Sequence, residues 1–191
     1  MNVDRRQFGG LLVSTLFTRL GWDDPSKLPS CPPHFTWTRS SALEAFVPCP
    51  AGWHFHEVDN DGQSSRSAYF TREDYAKLDQ FSTGFVVNVV RGMDGDIATW
   101  CNAIVNICLE GCTPIEHVED SNDEYFTYGI EKVDPPKGSR KTATRIRLVS
   151  VGNKHSNTLY LVQFEAPANQ WESAWEIGRR IYDMFKINPD V

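Results

Sequence analysis

The 191-residue chain lacks several things, and each absence argues against a class of protein. No apolar run approaches the ~18 residues of a membrane-spanning helix. There is no G-x-S-x-G, no H-E-x-x-H and no phosphate-binding glycine loop, so the usual signatures of serine hydrolases, zinc peptidases and nucleotide binders are missing. The five cysteines contain no C-x-x-C pair, which argues against a zinc ribbon or a thioredoxin-type centre. Basic residues are in deficit: 19 Lys and Arg against 25 Asp and Glu give a net charge of -6, unsuited to a general nucleic-acid binder. No internal repeat is present.

What is present supports a packed core. Hydrophobic residues make up 40% of the chain and aromatic residues 12%, unlike a disordered composition. The length is roughly 1.3 times a ~150-residue domain, which suggests one domain with additional N-terminal material. The chain starts MNVDRRQFGGLLVSTLFTRL. The Arg5-Arg6 pair, Phe8 and the apolar residues 11–17 resemble a twin-arginine export signal over residues 1–21. Gly9 stands where a leucine is usual, Arg19 cuts the apolar run short, and no A-x-A cleavage site follows. The alternative is an amphipathic helix with basic ends. A lipid-anchor reading at Cys31 is weaker, because polar residues precede it. Residues 22–33, with Pro25, Pro29, Pro32 and Pro33, read as a proline-rich linker. Without residues 1–30 the chain keeps 15 basic and 22 acidic residues and stays acidic.

The remainder alternates between strand and helix patterns. Residues 35–47 suit one or two short strands. Trp53, Phe55 and Glu57 alternate with His54, His56 and Val58, the period of a half-buried strand, and residues 67–73 suit its hairpin partner. A helical turn fits residues 74–80. GFVVNVVRG (residues 84–92) is apolar on both faces and predicts a central strand. Ile97, Trp100, Cys101, Ile104, Val105, Cys108 and Leu109 recur at helical spacing, with Asp94 or Asp96 as N-cap and Gly111 as the stop. Three strand patterns follow, at residues 124–133, 143–151 and 157–166, separated by turns as in an antiparallel meander. A last helix carries Trp171, Trp175, Gly178, Ile181, Tyr182 and Phe185 on one stripe. The expected class is α+β, with two helices on an antiparallel sheet.

This succession resembles the PsbP-like family, whose other branch includes Ran-binding proteins of the Mog type. A P-A-G-W strand (residues 50–53) leads through a hairpin to FVVNVVR (residues 85–91). A helix follows, then paired strands ending LYLVQFEAP (residues 159–167) and a closing helix. The resemblance covers roughly residues 43–187 and implies an α/β/α sandwich, with residues 34–191 as a single PsbP-like domain. It also implies a non-catalytic binding or assembly factor. Plant members bind photosystem II in the thylakoid lumen, and bacterial members are often exported. No residue here specifically indicates photosystem or Ran binding, so neither partner is carried over.

Four side-chain groups are candidates for chemistry. His54 and His56 share one strand face, with Asp59 and Asp61 just beyond. Two imidazoles and a carboxylate suit a divalent transition metal, although two histidines fall short of a full zinc set. Asp59-Asn60-Asp61-Gly62 also invites a calcium loop, but Ala68 stands where the bidentate acid is needed, so a tight turn is preferred. Lys137, Arg140, Lys141, Arg145 and Arg147 form a basic group that suits an anionic docking surface; the plainer alternative is a solvated hairpin. Glu116, His117, Glu119, Asp120, Asp123 and Glu124 form an acidic run that suits a cation or a basic partner; the plainer alternative is a solvated loop.

Cys101 and Cys108 fall on a helix face as buried thiols, roughly 10 Å apart and unable to bond. After export, Cys31 with Cys49, or Cys112 with a distant partner, would be open to oxidation. Cys49 with His34 has no supporting spacing. The Trp171, Trp175 and Tyr182 stripe reads as core before it reads as a ligand pocket.

The expected function is therefore a non-catalytic, exported binding factor with a protein partner. It needs no cofactor beyond a potential divalent metal, and it has no nucleic-acid partner and no transmembrane segment. The alternatives are a metal-dependent or thiol enzyme built on His54, His56 or a cysteine, and a cytosolic protein-interaction module. Localisation is periplasmic if the leader works and cytoplasmic otherwise.

Overall fold

The computed structural model of the protein describes residues 26, 28–59, 65–78, 80–110, 114–136 and 142–185. Among the described residues the order is β1 (Phe35–Ser40), β2 (Ala45–Pro50), β3 (His54–Asp59), β4 (Ser65–Thr71), α1 (Tyr75–Leu78) and β5 (Gly84–Val90). Then come α2 (Ile97–Leu109), β6 (Pro114–Ser121), β7 (Tyr125–Asp134), β8 (Thr144–Asn153), β9 (Thr158–Pro167) and α3 (Trp171–Met184). β3 to β9 form a seven-stranded sheet in the order β3-β4-β5-β9-β8-β7-β6, with every neighbouring pair antiparallel. β1 and β2 form a separate hairpin.

Period-two alternation divides the sheet into two faces with different cover. Phe70, Phe85, Val87, Val89, Val149, Val151, Tyr160, Val162 and Phe164 face α3 and the β1–β2 hairpin, which adds Leu43, Ala45, Val47 and Cys49 to the same core. On the opposite face, Ile97, Cys101 and Val105 of α2 pack over Phe126, Leu159, Ile130 and Leu148. The architecture is thus α+β, an antiparallel sheet with helices packed on both faces, as the alternation predicts. β5, which lies between β4 and β9, is buried on both faces.

Polar contacts fix the covering pieces in place. The turn between β1 and β2 is held by Glu57 of β3, whose carboxylate accepts hydrogen bonds from Ser40 Oγ (2.7 Å), Ser41 Oγ (2.8 Å) and the Ala42 amide (2.9 Å). Burial pushes this carboxyl towards protonation, but the donors outweigh it and hold its pKa below the usual value. Arg91 adds a bond to Glu44 (3.1 Å) from the end of β5. Asp96 caps α2 by accepting from the Thr99 amide at 3.0 Å, as its position predicts. The loop ahead of α2 is tied to the β8–β9 turn by Met93 N–H donating to the Asn157 carbonyl at 3.0 Å.

Two expectations need correction. The acidic segment around Glu119 is not a loop: it forms the edge strand β6, paired along its length with β7. Local charge suggested solvation, whereas the pairing is supplied by β7, a non-local partner. Trp100 is not in the core but 40% exposed, with its indole N–H donating to the Asp94 carbonyl at 2.7 Å. Residues 1–25, the 60–64 turn and the proposed stop at Gly111 lie outside the described residues.

Close approach of α3 to the sheet depends on Gly178. A Cβ there would lie 2.7 Å from a ring carbon of Phe164, nearer than packed carbons tolerate. Alanine normally gains ~1 kcal/mol over glycine inside a helix. Here the overlap with Phe164 reverses the sign, and Gly178→Ala is expected to lower stability by about 1–3 kcal/mol in urea unfolding.

Candidate functional site

A gathering of charged and aromatic side chains lies between α3 and the β7–β8–β9 end of the sheet. Antiparallel register sets Glu131 of β7 opposite Arg147 of β8, and Arg147 opposite Phe164 of β9. Arg145, two residues earlier, points to the same face. On α3, Trp171 and Trp175 are one turn apart and their rings stack with 5.6 Å between centroids. The two periodicities meet here. The Arg145 guanidinium lies 4.7 Å from the centre of the Trp171 ring, and that of Arg147 lies 4.4 Å from that of Trp175. Glu131 pairs with both arginines, with Arg147 at 3.4 Å and with Arg145 more closely. The side chains of Glu131 and Arg147 are 5% and 6% exposed, while Arg145 keeps 27% and reaches Glu172 at 3.4 Å.

A buried carboxylate between two guanidiniums is costly to desolvate, and the ring faces recover part of that cost through cation–π attraction. The arrangement divides the expected basic surface. Arg147 is enclosed between sheet and helix, so a partner does not meet it; Arg145 is accessible at one edge. Lys137, Arg140 and Lys141 lie outside the described residues. Trp171 and Tyr182 are buried, and the Tyr182 hydroxyl donates to the Val162 carbonyl at 3.2 Å, so the aromatic stripe is core. Next to Trp175 the outer surface of α3 has an open depression lined by Glu172, Ser173, Glu176 and Arg179. The sequence held a signal for this cluster, since R-x-R on a strand and W-x-x-x-W on a helix each project to one side. Nothing local says that they face each other.

A second cluster occupies the other face of the sheet at β3 and β4. His54 and His56 lie on the same side of β3, as their spacing predicts. His56 sits 6.4 Å from Tyr69 and 6.0 Å from Tyr75 between ring centres, and the two tyrosines stack at 4.4 Å. His54 Nδ1 is 4.0 Å from Asp74, which is also paired with Lys77 at 2.7 Å. Asp59 projects from the opposite face of β3 and pairs with Arg66 at 3.4 Å. Among the described residues no three His, Cys, Asp or Glu side chains converge to hold a metal ion, and Asp61 lies outside them.

Cys31, Cys49, Cys101 and Cys108 are all free thiols, with Cys112 outside the described residues. Burial pushes the Cys101 thiol up to about 11, so it is protonated at neutral pH and a poor nucleophile. No helix among the described residues is long and apolar enough to cross a membrane.

A third feature is the outer surface of α2. Its sequence, IATWCNAIVNICL, contains no charged residue, and Ile107 is 70% exposed beside the 40% exposed Trp100.

No protein-family model and no curated protein matches the chain. Solved structures do. The cyanobacterial PsbP (CyanoP) of Synechocystis sp. PCC 6803 is similar with a TM-score of 0.50 at 12% identity, over 84% of this chain and 98% of that one. A Pseudomonas aeruginosa protein of unknown function, PA94, described as a putative regulator, is similar with a TM-score of 0.45 at 10% identity, over 80% and 96% of the two chains. The Ran-binding protein Mog1p of Saccharomyces cerevisiae follows with 0.37 at 10% identity, over 66% and 84%. At these identities the likeness is one of fold: the chain has the PsbP-like fold that the strand and helix order resembles.

Glu131 is a carboxylate that both sheet arginines share. Glu131→Gln removes a buried charge that pairs with both guanidiniums under α3, and the expected loss is about 3–5 kcal/mol in denaturant unfolding. Glu172→Gln, on the exposed side of Arg145, is expected to cost at most ~1 kcal/mol.

Proposed function

We propose that the protein is a non-catalytic, exported binding or assembly factor that works through contacts with another protein. The observation that supports this most is the use the fold makes of its reactive groups. Arg147 and Glu131 secure α3 to the sheet, and Cys101 is enclosed as a protonated thiol. These groups contribute to packing rather than lining a cleft, as in a domain that presents surfaces to partners. The export part of the reading draws on Arg5, Arg6 and the apolar residues 11–17. The docking surface in this reading is the β7–β8 end, with Lys137, Arg140, Lys141 and the accessible edge of Arg145 as its cations.

Cell fractionation of the native protein beside an Arg5→Lys/Arg6→Lys variant tests export. The native protein is expected outside the cytoplasm and the variant inside it. Retention of both in the cytoplasm, with Arg5 and Arg6 intact by mass mapping, would replace this reading with a cytosolic interaction module. Capture from the native cell envelope is expected to recover a reproducible protein partner.

A second reading, a divalent metal held at His54 and His56, draws on their shared face at the edge strand and on Asp74 beside His54. Calorimetric titration with zinc decides it. Under this reading His54→Ala/His56→Ala abolishes the binding isotherm, and an unchanged isotherm removes it.

A further inference from the structure

The two long helices of this fold lie on opposite faces of one sheet and have opposite outer surfaces. α3 carries Glu172, Glu176, Arg179, Arg180 and Asp183, five charges in 14 residues. α2, at 13 residues, carries none; its polar side chains other than cysteine and tryptophan are Thr99, Asn102 and Asn106. Its buried stripe is Ile97, Cys101 and Val105. One shoulder of the helix away from that stripe, Trp100, Ala103 and Ile107 recur at i, i+3 and i+7, with Trp100 and Ile107 exposed. A solvent-facing helix that is apolar well beyond its core stripe has the pattern of a surface that becomes covered.

The charges around this helix say by what. Asp94 and Asp96 precede it, Glu110 ends it, and all three are exposed. On the same side of the sheet β6 presents Glu119 opposite Tyr128, a residue that packs at the edge of the α2 clusters. Lys132, the basic side chain below the end of α2, is taken up by the Cys108 carbonyl at 2.6 Å and by Asp134 at 3.0 Å. Lys154 donates to Ser121 Oγ at 2.8 Å, and its charge acts on Asp96. Carboxylates thus outnumber cations along the border of the apolar shoulder: Asp94, Asp96, Glu110, Glu119 and Asp134 against Lys132 and Lys154.

We infer that the Trp100–Ile107 shoulder of α2 is a docking surface for an apolar helical segment flanked by lysine or arginine on a partner protein. A second copy of this chain would bring the same acidic border against itself, and an anionic membrane surface would be repelled by it. This assignment rests on the binding-factor reading and adds a contact surface on α2 to the one at the β7–β8 end.

The test is fluorescence-anisotropy titration of the full-length protein with a labelled helical peptide. The peptide is a leucine- and alanine-rich helix with two lysines at each end; the control has glutamates in their place. Saturable binding of the lysine peptide is expected, at least tenfold tighter than the control and weakening with salt. Ile107→Gln, at an exposed position, is expected to weaken binding at least tenfold with an unchanged urea midpoint. Asp94→Asn/Glu119→Gln is expected to abolish the preference for lysine over glutamate. Equal binding of the two peptides, no binding of either, or indifference to Ile107→Gln overturns the assignment. Self-association by sedimentation that Ile107→Gln removes would also overturn it, in favour of a second copy. An envelope partner that the native and Ile107→Gln proteins capture equally leaves the binding-factor reading standing and removes α2 from it. Failure to capture any partner counts against the broader reading, whatever the peptide does.

Discussion

One transverse row of residues organises the sheet, and at its charged end stands Arg147. The register runs Glu116, Glu131, Arg147, Phe164, Phe85, Phe70 and Phe55 across the seven strands, from β6 to β3. Four phenylalanines carry the apolar part of the layer under α3 and the hairpin; Phe85 meets Tyr182 and Phe185, and Phe164 meets Trp171 and Trp175. Where the row turns ionic, the covering helix would otherwise lose contact with the sheet. The indole faces of Trp171 and Trp175 allow the packing to continue over two guanidiniums, and Glu131 neutralises part of their charge. One helix can therefore span an apolar and an ionic half of the same face. The arrangement also fixes the rotation of α3, because only one stripe of that helix carries both tryptophans and Gly178.

Much of this was legible in the sequence, for reasons particular to each element. The β5 strand shows in GFVVNVVRG because a strand covered on both faces has no polar alternation to mislead. α2 shows in its helical period and in Asp96, an oxygen acceptor one residue before the first turn. α3 shows in the stripe from Trp171 to Phe185. The edge strand β6 did not show, because an edge strand takes its pairing from a distant partner and can keep acidic side chains in water. The same limit applies to the site. R-x-R and W-x-x-x-W are each readable as one-sided, but their meeting depends on β8 lying beside β9 and on the chain returning along α3. The reading of Arg147 as a surface charge failed on a non-local fact, namely that Glu131 stands across from it.

The histidine pair behaves in the same way. Spacing correctly places His54 and His56 on one face. It also places Asp59 on the other, where Arg66 takes it. Alternation, the property that brings the imidazoles together, separates them from the Asp59 carboxylate. What lies beside His56 instead is a pair of stacked tyrosines, contributed by β4 and α1.

Among the described residues the sheet is open, not closed into a barrel, and ends at β3 on one side and β6 on the other. An unpaired strand is a template on which another extended chain can grow. At β6 the exposed Glu119 and Asp120 place negative charge along that margin. An incoming strand of the same sequence would align like charges at van der Waals spacing, a mismatch of several kcal/mol in the least screened geometry. The acidic run therefore acts as a guard against fibrillar or edge-to-edge growth. Its effect should fade in concentrated salt, a condition under which the solubility of this protein, more than its fold, is at risk.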